Sequence, residues 1–155
     1  MKLTRATNYA VRALVAVAKN GSVRCSDLHT LASDMGAPSA FLGKVLQRLK
    51  HAGLLKGVRG AHGGYVLARP AGEITIRDVV EAMEGRTALS ACSSREDRPG
   101  TKPCPRLRTC GARKLWSRLE DGLNRVLESE TIGRLVAGQE GRSGKRRTCG
   151  TTRGR

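Results

Sequence analysis

The chain has 155 residues, which is long enough for one domain with a substantial core. Lys and Arg number 29 against 13 Asp and Glu, so the formal charge is +16 and indicates a polyanionic partner such as nucleic acid. Only 3% of the residues are aromatic, which is too few for a surface that stacks single-stranded bases, so duplex DNA is favoured over single-stranded RNA.

The chain has no segment typical of a membrane or secreted protein. No apolar run approaches the ~20 residues of a membrane span, and the first residues lack the apolar stretch of a signal peptide. We therefore expect a cytoplasmic protein with no membrane contact. Because thiols stay reduced in that compartment, the five cysteines indicate metal or redox chemistry rather than a disulfide framework.

The positive charge is concentrated at the two ends of the chain. Residues 1–72 hold 11 basic and 2 acidic side chains, whereas residues 73–137 hold 12 and 10. We therefore place the DNA surface in the first 72 residues. The last 18 residues, 138–155, are rich in Gly, Arg, Ser and Thr, and we expect a basic, disordered tail.

The first half of the chain predicts three helices followed by a hairpin. The first helix covers about residues 4–18, Ser26 caps the second, and Ser39 caps the third. Residues 54–58 and 65–68 then read as two short strands joined by a glycine-rich tip. This order is typical of a winged helix-turn-helix, in which the third helix enters the major groove and the hairpin tip touches the backbone or minor groove. The apolar face of the third helix comprises Leu42, Val45, Leu46 and Leu49.

The second half predicts a capped helix, a long loop and a long amphipathic helix. Thr75 and Asp78 form a capping box at the start of a helix over 76–84. Residues 86–111 have no helical or strand period, and a helix over about 112–128 follows, with a short last helix over 131–136. The long helix carries an apolar stripe that predicts a homodimer seam, although it could instead pack on its own domain. The stripe comprises Trp116, Leu119, Leu123 and Val126.

The exposed face of the third helix has basic and amide side chains and no acid. Ser39 and Gln47 are the candidates for reading base edges, while Lys and Arg more often meet phosphate. Arg59 at the hairpin tip is placed to enter a narrow minor groove, and His62 to donate to phosphate. The alternative is a solvated polar face without a partner. The candidate DNA-binding residues are Thr4, Ser39, Lys44, Gln47, Arg48, Lys50, Arg59 and His62.

Three of the cysteines, Cys92, Cys104 and Cys110, lie in the long loop with the spacing C-x11-C-x5-C. This is not the C-x2-C pair of a structural zinc site, and thiolates are the usual ligands of iron–sulfur clusters. From spacing alone, a cluster, a thiol redox switch, a zinc site and inert thiols all stay open. We expect Cys25 to be a packed residue and Cys149 an exposed free thiol.

Four segments in the same order resemble bacterial winged-helix iron–sulfur regulators of the IscR, NsrR and RirA type. They are residues 1–12, 58–65, 76–84 and 115–136, and the resemblance covers about residues 1–137. It implies a homodimeric transcription factor on a pseudo-palindromic duplex operator. It also implies an iron–sulfur cluster, [2Fe–2S] or [4Fe–4S], held by Cys92, Cys104 and Cys110.

The chain departs from these regulators at the fourth cluster ligand. Arg113 stands where the IscR-like proteins have a histidine, and Arg cannot ligate iron because it stays protonated. Asn8 stands where NsrR-like proteins have an aspartate. The fourth-ligand candidates are Asn8, Asp97 or an exogenous small ligand. Gly43 replaces an acid that selects among DNA sites in IscR-like proteins, so we expect that discrimination to be missing.

We therefore predict a mainly α fold with a small β-hairpin: a winged helix-turn-helix domain over 1–84, a cluster-binding loop over 85–111, and a dimerisation helix with a short final helix over 112–137. The predicted function is a DNA-binding regulator, a repressor that senses iron, nitric oxide or redox state. The alternative is a cluster-free thiol-redox or zinc-binding switch protein. No Ser/His/Asp grouping is present, so we do not expect an enzyme.

Overall fold

The fold consists of six helices and one two-stranded hairpin among the residues that can be described. The structure is a computed structural model that describes residues 3–21, 25–60, 63–85 and 109–144, the side chains of the last range as far as residue 139. The elements in chain order are α1 (Arg5–Lys19), α2 (Leu28–Met35), α3 (Ser39–His51), β1 (Leu55–Val58), β2 (Gly64–Leu67), a 3₁₀ turn (Ala71–Glu73), α4 (Ile76–Glu84), α5 (Arg113–Ser129) and α6 (Ile132–Gly144). The mainly α fold with a small hairpin is confirmed. None of the described helices combines the length and the apolar character needed to cross a membrane.

The hydrophobic core lies where α1 packs against α3, α4 and α6. The apolar face predicted for the third helix is buried in full, and all four of its side chains are at most 2% exposed. Ile74 and Ile132 are also fully buried, one just before α4 and one at the start of α6. Leu→Ala at such core positions typically costs about 2–5 kcal/mol, so α3 is fixed to the domain by its inner face.

The hairpin is widened by a short pairing with the segment before α2. β1 and β2 are antiparallel with Leu55 opposite Leu67 and Val58 opposite Gly64. Ser26 exchanges both backbone hydrogen bonds with Tyr65, at 3.0 and 2.9 Å. The predicted capping role of Ser26 is therefore wrong. Asp27 caps α2 and accepts from the Thr30 N–H at 2.9 Å, because Ser26 is buried and used by the hairpin.

The start of α3 also differs from the prediction. Pro38 occupies the N-cap position, and its carbonyl accepts from the N–H groups of Phe41 and Leu42 at 3.0 Å. Ser39 is then the first helical residue and makes no side-chain capping bond. The predicted Ser39 cap is therefore wrong by one residue, because the N-cap of α3 is Pro38.

The fourth helix follows its sequence signal closely. The Thr75 hydroxyl accepts from the Asp78 N–H at 3.1 Å, and the Asp78 carboxylate accepts from the Thr75 N–H at 3.0 Å. This capping box is confirmed, and α4 has the predicted bounds, Ile76–Glu84. Such caps are worth ~1 kcal/mol each.

The last helix is longer than the predicted short helix over 131–136. It runs from Ile132 to Gly144, so the expected boundary of a disordered tail at residue 138 is wrong for its first residues. The helix is anchored at its start, where the Ile132 N–H donates to the Ile74 carbonyl at 2.9 Å and Leu135 and Val136 pack on the core. The composition of residues 138–155, which predicted the tail, gave no sign that the helix continues past residue 137.

Candidate nucleic-acid interface

The outer face of α3 carries four side chains opposite the buried apolar face. Lys44, Gln47, Arg48 and Lys50 are all exposed, as predicted, and α3 contains no acidic residue. Lys44, Gln47 and His51 are spaced i, i+3 and i+7, so they form the line of α3 that points most directly away from the core. His51 is exposed and was missed by the sequence reasoning, although the same periodicity that located Lys44 would have found it.

The remaining two α3 cations lie on either side of this central line. Lys50 extends toward the hairpin, because its Nζ lies 3.5 Å from the position that a Cβ on Gly57 would occupy. Arg48 is on the opposite side of α3. Hydrogen bonds from Thr7 and Thr4, with a smaller contribution from the charge of Arg48, lower the pKa of the Glu84 carboxyl at the end of α4. The basic surface therefore extends from the hairpin across α3.

The hairpin tip depends on glycine for its tight geometry. A Cβ on Gly63 would lie 2.5 Å from the Val58 carbonyl oxygen, and one on Gly64 would lie 2.6 Å from that of Ser26. These backbone approaches exclude any other residue at either position without movement of the chain. Arg59 follows β1 and is exposed, as is the apolar Val58. His62 lies outside the described residues.

Thr4 is the N-cap of α1, and it is hydrogen-bonded to the carboxylate of Glu84, the last residue of α4. The Thr4 hydroxyl accepts from the Thr7 N–H and donates to Glu84 Oε1 at 2.7 Å, and the Thr4 N–H donates to the same oxygen at 3.0 Å. The buried Thr7 hydroxyl also donates to Glu84 Oε1. Thr4 therefore fixes the start of α1, and its contact with DNA stays a prediction.

The hydrogen bonds from Thr4 and Thr7 to Glu84 predict that the stability of the protein depends on pH. Hydrogen bonds from Thr7 and Thr4 lower the pKa of Glu84 below its ordinary value of 4.5. A carboxyl whose pKa is lowered by folding stabilises the protein above its unfolded pKa, and this stability is lost as the pH falls through the folded pKa. We expect Glu84→Gln to lower the melting temperature at pH 7 and to show a shallower loss of stability below pH 4.5 than the wild type. Thermal melts from pH 7 to pH 3 measure both; parallel curves for the two proteins would contradict this role.

The ion pairs of the described residues involve no side chain of α1, α3 or the hairpin strands. Arg69 pairs with Asp78 at 2.9 Å, and Arg77 pairs with Glu81 at 2.8 Å and with Glu128. These contacts are on α4, α5 and the segment before the 3₁₀ turn. Exposed pairs of this kind add only about 0–1 kcal/mol to stability. The ion pairs matter more for where they leave unpaired charge. The cations of α1, α3 and the hairpin have no acidic ion-pair partner among the described residues.

The long helix α5 has two different apolar lines rather than the single stripe that was predicted. Leu127 is 8% exposed and packs on its own domain, and Leu123 lies on the same line one turn earlier. A second line is exposed: Leu115 at 55%, Leu119 at 48% and Val126 at 60%, with Gly122 between the last two. Trp116 and Leu123 lie on the same side of the helix as Leu127, but Trp116 is 38% exposed and Leu123 is only partly buried. The four residues of the predicted stripe therefore lie on two neighbouring faces of α5, and Leu115 and Gly122 lie with Leu119 and Val126 on the exposed one.

The C-terminal end of α5 is bonded to α4, and these bonds fix the orientation of the exposed apolar residues of α5. The Ile76 N–H donates to the Glu130 carbonyl at 2.9 Å, and Arg77 bonds to Glu128. All these ties lie near the C-terminal end of α5. The exposed line therefore extends along a helix whose outer face has no apolar partner among the described residues.

Only one of the three cysteines predicted to hold the cluster lies in the described part of the chain. Cys110 is a partly exposed free thiol, and its carbonyl accepts from the Arg113 N–H at 3.2 Å as α5 begins. Cys92, Cys104 and Asp97 lie outside the described residues, and so does Cys149. Asn8 is exposed on α1, and Cys25 is a partly exposed free thiol before α2.

The donor chemistry fits an iron–sulfur group better than a hard metal ion. Cys110 has no disulfide partner, and thiolates are the preferred ligands of such clusters. Within residues 3–21, 25–60, 63–85 and 109–144, no three His, Cys, Asp or Glu side chains converge on a metal position. A metal site with three such ligands would therefore need at least one residue outside these ranges.

Comparison with known proteins identifies the family. Residues 3–138 match the family model described as "Rrf2: Iron-dependent Transcriptional regulator". The chain is 40% identical over 136 residues to the protein aau3 of Rhizobium meliloti, covering 88% of this chain and 85% of the relative. It is 32% identical to the HTH-type transcriptional regulator IscR of an Enterobacter species, covering 99% and 93%.

A solved structure gives the same answer for the fold. CymR, the global cysteine regulator of B. subtilis, superposes with a TM-score of 0.70 at 27% identity, over 88% of this chain and 97% of that chain. The resemblance inferred from the four segments is confirmed, and the family consists of regulators rather than enzymes, as expected from the sequence. The chain belongs to the Rrf2 family of transcriptional regulators.

Proposed function

We propose that the chain is a homodimeric repressor that binds a pseudo-palindromic duplex and responds to iron, nitric oxide or redox state through an iron–sulfur cluster. One observation carries the DNA-binding part. The exposed face of α3 and the hairpin present Lys44, Arg48, Lys50 and Arg59 without an acid, while every described ion pair lies elsewhere. Unpaired cations on one face attract the phosphate backbone.

The position of each side chain favours a division of roles on the duplex. Gln47 is on the central line of α3, where its amide can bond a base edge in the major groove. Lys44 and His51 lie on either side of Gln47 along this line, where they can reach the phosphate backbones that border the major groove. Lys50, directed toward Gly57, and Arg59 connect α3 to the wing and favour a continuous path along the backbone.

A second copy of this chain is the partner that best fits the outer line of α5. Leu115, Leu119 and Val126 are about half exposed, which is costly for apolar side chains on a free helix. Gly122 lies within this line with no atom near its Cβ position, so it permits close approach of another helix. A two-fold dimer would present two copies of α3 to successive half-sites of an operator.

The cluster part of the proposal rests on Cys110 and the two loop cysteines, supported by the iron-dependent description of the family. Cys92, Cys104 and Cys110 would hold the group, with Asn8, Asp97 or an exogenous ligand in the fourth position. An iron–sulfur cluster supplies iron that nitric oxide, oxygen or iron loss can alter. Cys110 immediately precedes α5, so a change in its ligation acts at the start of the proposed dimer helix.

The second candidate is a thiol or zinc switch without a cluster. It is favoured by the likeness to a cysteine regulator and by the free thiols of Cys25 and Cys110. Both candidates share the DNA surface. Iron and sulfide analysis of protein purified without oxygen separates them, because a thiol switch contains neither.

The DNA-binding proposal is tested by selecting binding sites from a random duplex library with the full-length protein. We expect enrichment of an inverted repeat whose half-sites lie about 10 base pairs apart, one helical turn, on one face of the duplex. Fluorescence anisotropy then compares the selected duplex with a scrambled one. Recovery of no enriched sequence, with equal affinity for both duplexes, would contradict the proposal.

Arg59→Ala is expected to weaken binding to the selected duplex at least several-fold, because Arg59 is the exposed cation at the tight hairpin tip. The matched control is Arg125→Ala, which removes the same charge from the exposed surface of α5. Anisotropy titrations at one salt concentration measure both variants. Equal affinity of the two variants would remove the wing from the interface.

A further inference from the structure

The solvent side of α1 carries a basic line that the DNA surface described so far does not include. Arg5, Arg12 and Lys19 are all exposed at i, i+7 and i+14, with Asn8 beside them. The fifteen residues of α1 include no acid. Neither Arg5 nor Arg12 has an ion-pair partner among the described residues. Arg5 and Arg12 are therefore exposed cations that no described acid pairs with.

Two contacts place α1 alongside α3. The Tyr9 and Phe41 rings meet edge to face, with centroids 5.4 Å apart and an interplanar angle of 80°. At the N-terminus of α1, Thr4 binds Glu84 at the end of α4, and α4 also packs against α3. The early part of α1 therefore lies beside α3.

Arg12 is held in place by an aromatic ring. Its guanidinium carbon lies 5.4 Å from the centroid of the Tyr9 ring, a cation–π distance. A guanidinium that lies over a ring contacts it through its flat face. The N–H groups at its edge can then donate two hydrogen bonds to one phosphate. Arg5 lies one turn before Tyr9 on the same line, and Arg12 lies one turn after it.

We propose that Arg12, with Arg5 beside it, binds the phosphodiester backbone of the duplex next to the groove that α3 enters. The chain Arg12–Tyr9–Phe41 ties this contact rigidly to the first turn of α3. The contact adds affinity for any duplex and no base specificity, because phosphates carry no sequence information. This inference rests on the proposed DNA-binding function and extends its footprint onto α1. It takes the fourth cluster ligand to be Asp97 or an exogenous group, because Asn8 lies on the same face of α1 as Arg5 and Arg12.

The test compares Arg12→Ala, Arg12→Lys and Lys19→Ala in the full-length protein. Lys19 is the matched control, since it lies two turns beyond Arg12, away from Phe41. Dissociation constants are measured from 50 to 300 mM KCl on the selected and scrambled duplexes. We expect Arg12→Ala to reduce the slope of log K against log salt by about 1, with an equal loss on both duplexes. Arg12→Lys should retain the slope yet bind more weakly than the wild type, because Lys neither stacks nor forks.

The outcomes separate this inference from the function on which it rests. A wild type that selects a duplex while Arg12→Ala keeps the wild-type slope overturns the α1 contact alone. A loss confined to the selected duplex overturns it too, since that would be base readout. A fall in the dimer fraction on sedimentation, with DNA binding normal once dimers are restored by concentration, assigns Arg12 to the subunit interface and also overturns it. A wild type that selects no duplex overturns both proposals.

Discussion

Cys104→Ala, expressed and purified without oxygen, is expected to be colourless and free of iron and sulfide, whereas the wild type is brown. Removing one of three thiolate ligands leaves too few soft donors to hold the cluster, because no other His, Cys, Asp or Glu grouping converges within the described residues. Cys110→Ser should behave in the same way. The measurements are the visible absorption spectrum and the iron and acid-labile sulfide content per chain.

Cys25→Ser and Cys149→Ser are the controls for cysteine loss. Cys25 lies before α2, far along the chain from the loop, and Cys149 lies in the terminal segment. Both variants should keep the colour and the metal content of the wild type. A brown Cys104→Ala protein with wild-type iron and sulfide would refute the ligand assignment. A colourless wild type that stays so after reconstitution would favour the thiol or zinc switch.

The double variant Leu119→Asp, Val126→Asp is expected to be a folded monomer that binds the selected duplex at least ten-fold more weakly. Both side chains are about half exposed on α5, so the charges disturb no buried packing within the subunit. In a helix seam, the same charges would lie opposite their own copies and be desolvated. Sedimentation equilibrium gives the oligomeric state and circular dichroism gives the helix content.

Arg125→Asp is the matched control for this variant, since it places an acid on the exposed side of α5 away from the apolar line. It should stay dimeric. A double variant that remains dimeric would place the subunit interface elsewhere. A double variant that is monomeric yet binds the duplex as tightly as the wild type would show that one subunit is sufficient for the operator.

The sequence predicted best those elements whose signals are local. The capping box of Thr75 and Asp78 determines the start of α4, and the heptad-like spacing from Leu42 to Leu49 determines the buried face of α3. Both are recognisable because the responsible residues lie within one or two turns of each other. The hairpin followed for the same reason, from its glycines and its alternating apolar residues.

Features determined by distant contacts were predicted less well. Ser26 and Asp27 are both good caps, and only the pairing of Ser26 with Tyr65 decides between them. The length of α6 depends on packing around Ile132, which the local glycines conceal. The apolar line of α5 was assigned to one face, although the fold buries Leu127 and leaves Leu115 and Val126 exposed.

The candidate site was predicted in its chemistry more than in its details. The exposed residues of α3 follow from the position of its buried face, and the same reasoning would have included His51. Neither Arg12 nor Glu84 was singled out, since their importance comes from Tyr9, Thr4 and Thr7 across the fold. The roles of Cys92, Cys104, Asp97 and His62 stay predictions from the sequence.

In the proposed mechanism, the state of the loop cysteines sets the affinity of α3 and the hairpin for DNA. The most direct measurement is an anaerobic anisotropy titration of the selected duplex with protein that contains iron and sulfide and with the same protein after chelation of its iron. We expect dissociation constants that differ at least ten-fold, a coupling of about 1.4 kcal/mol or more. Equal dissociation constants for the two forms would contradict it.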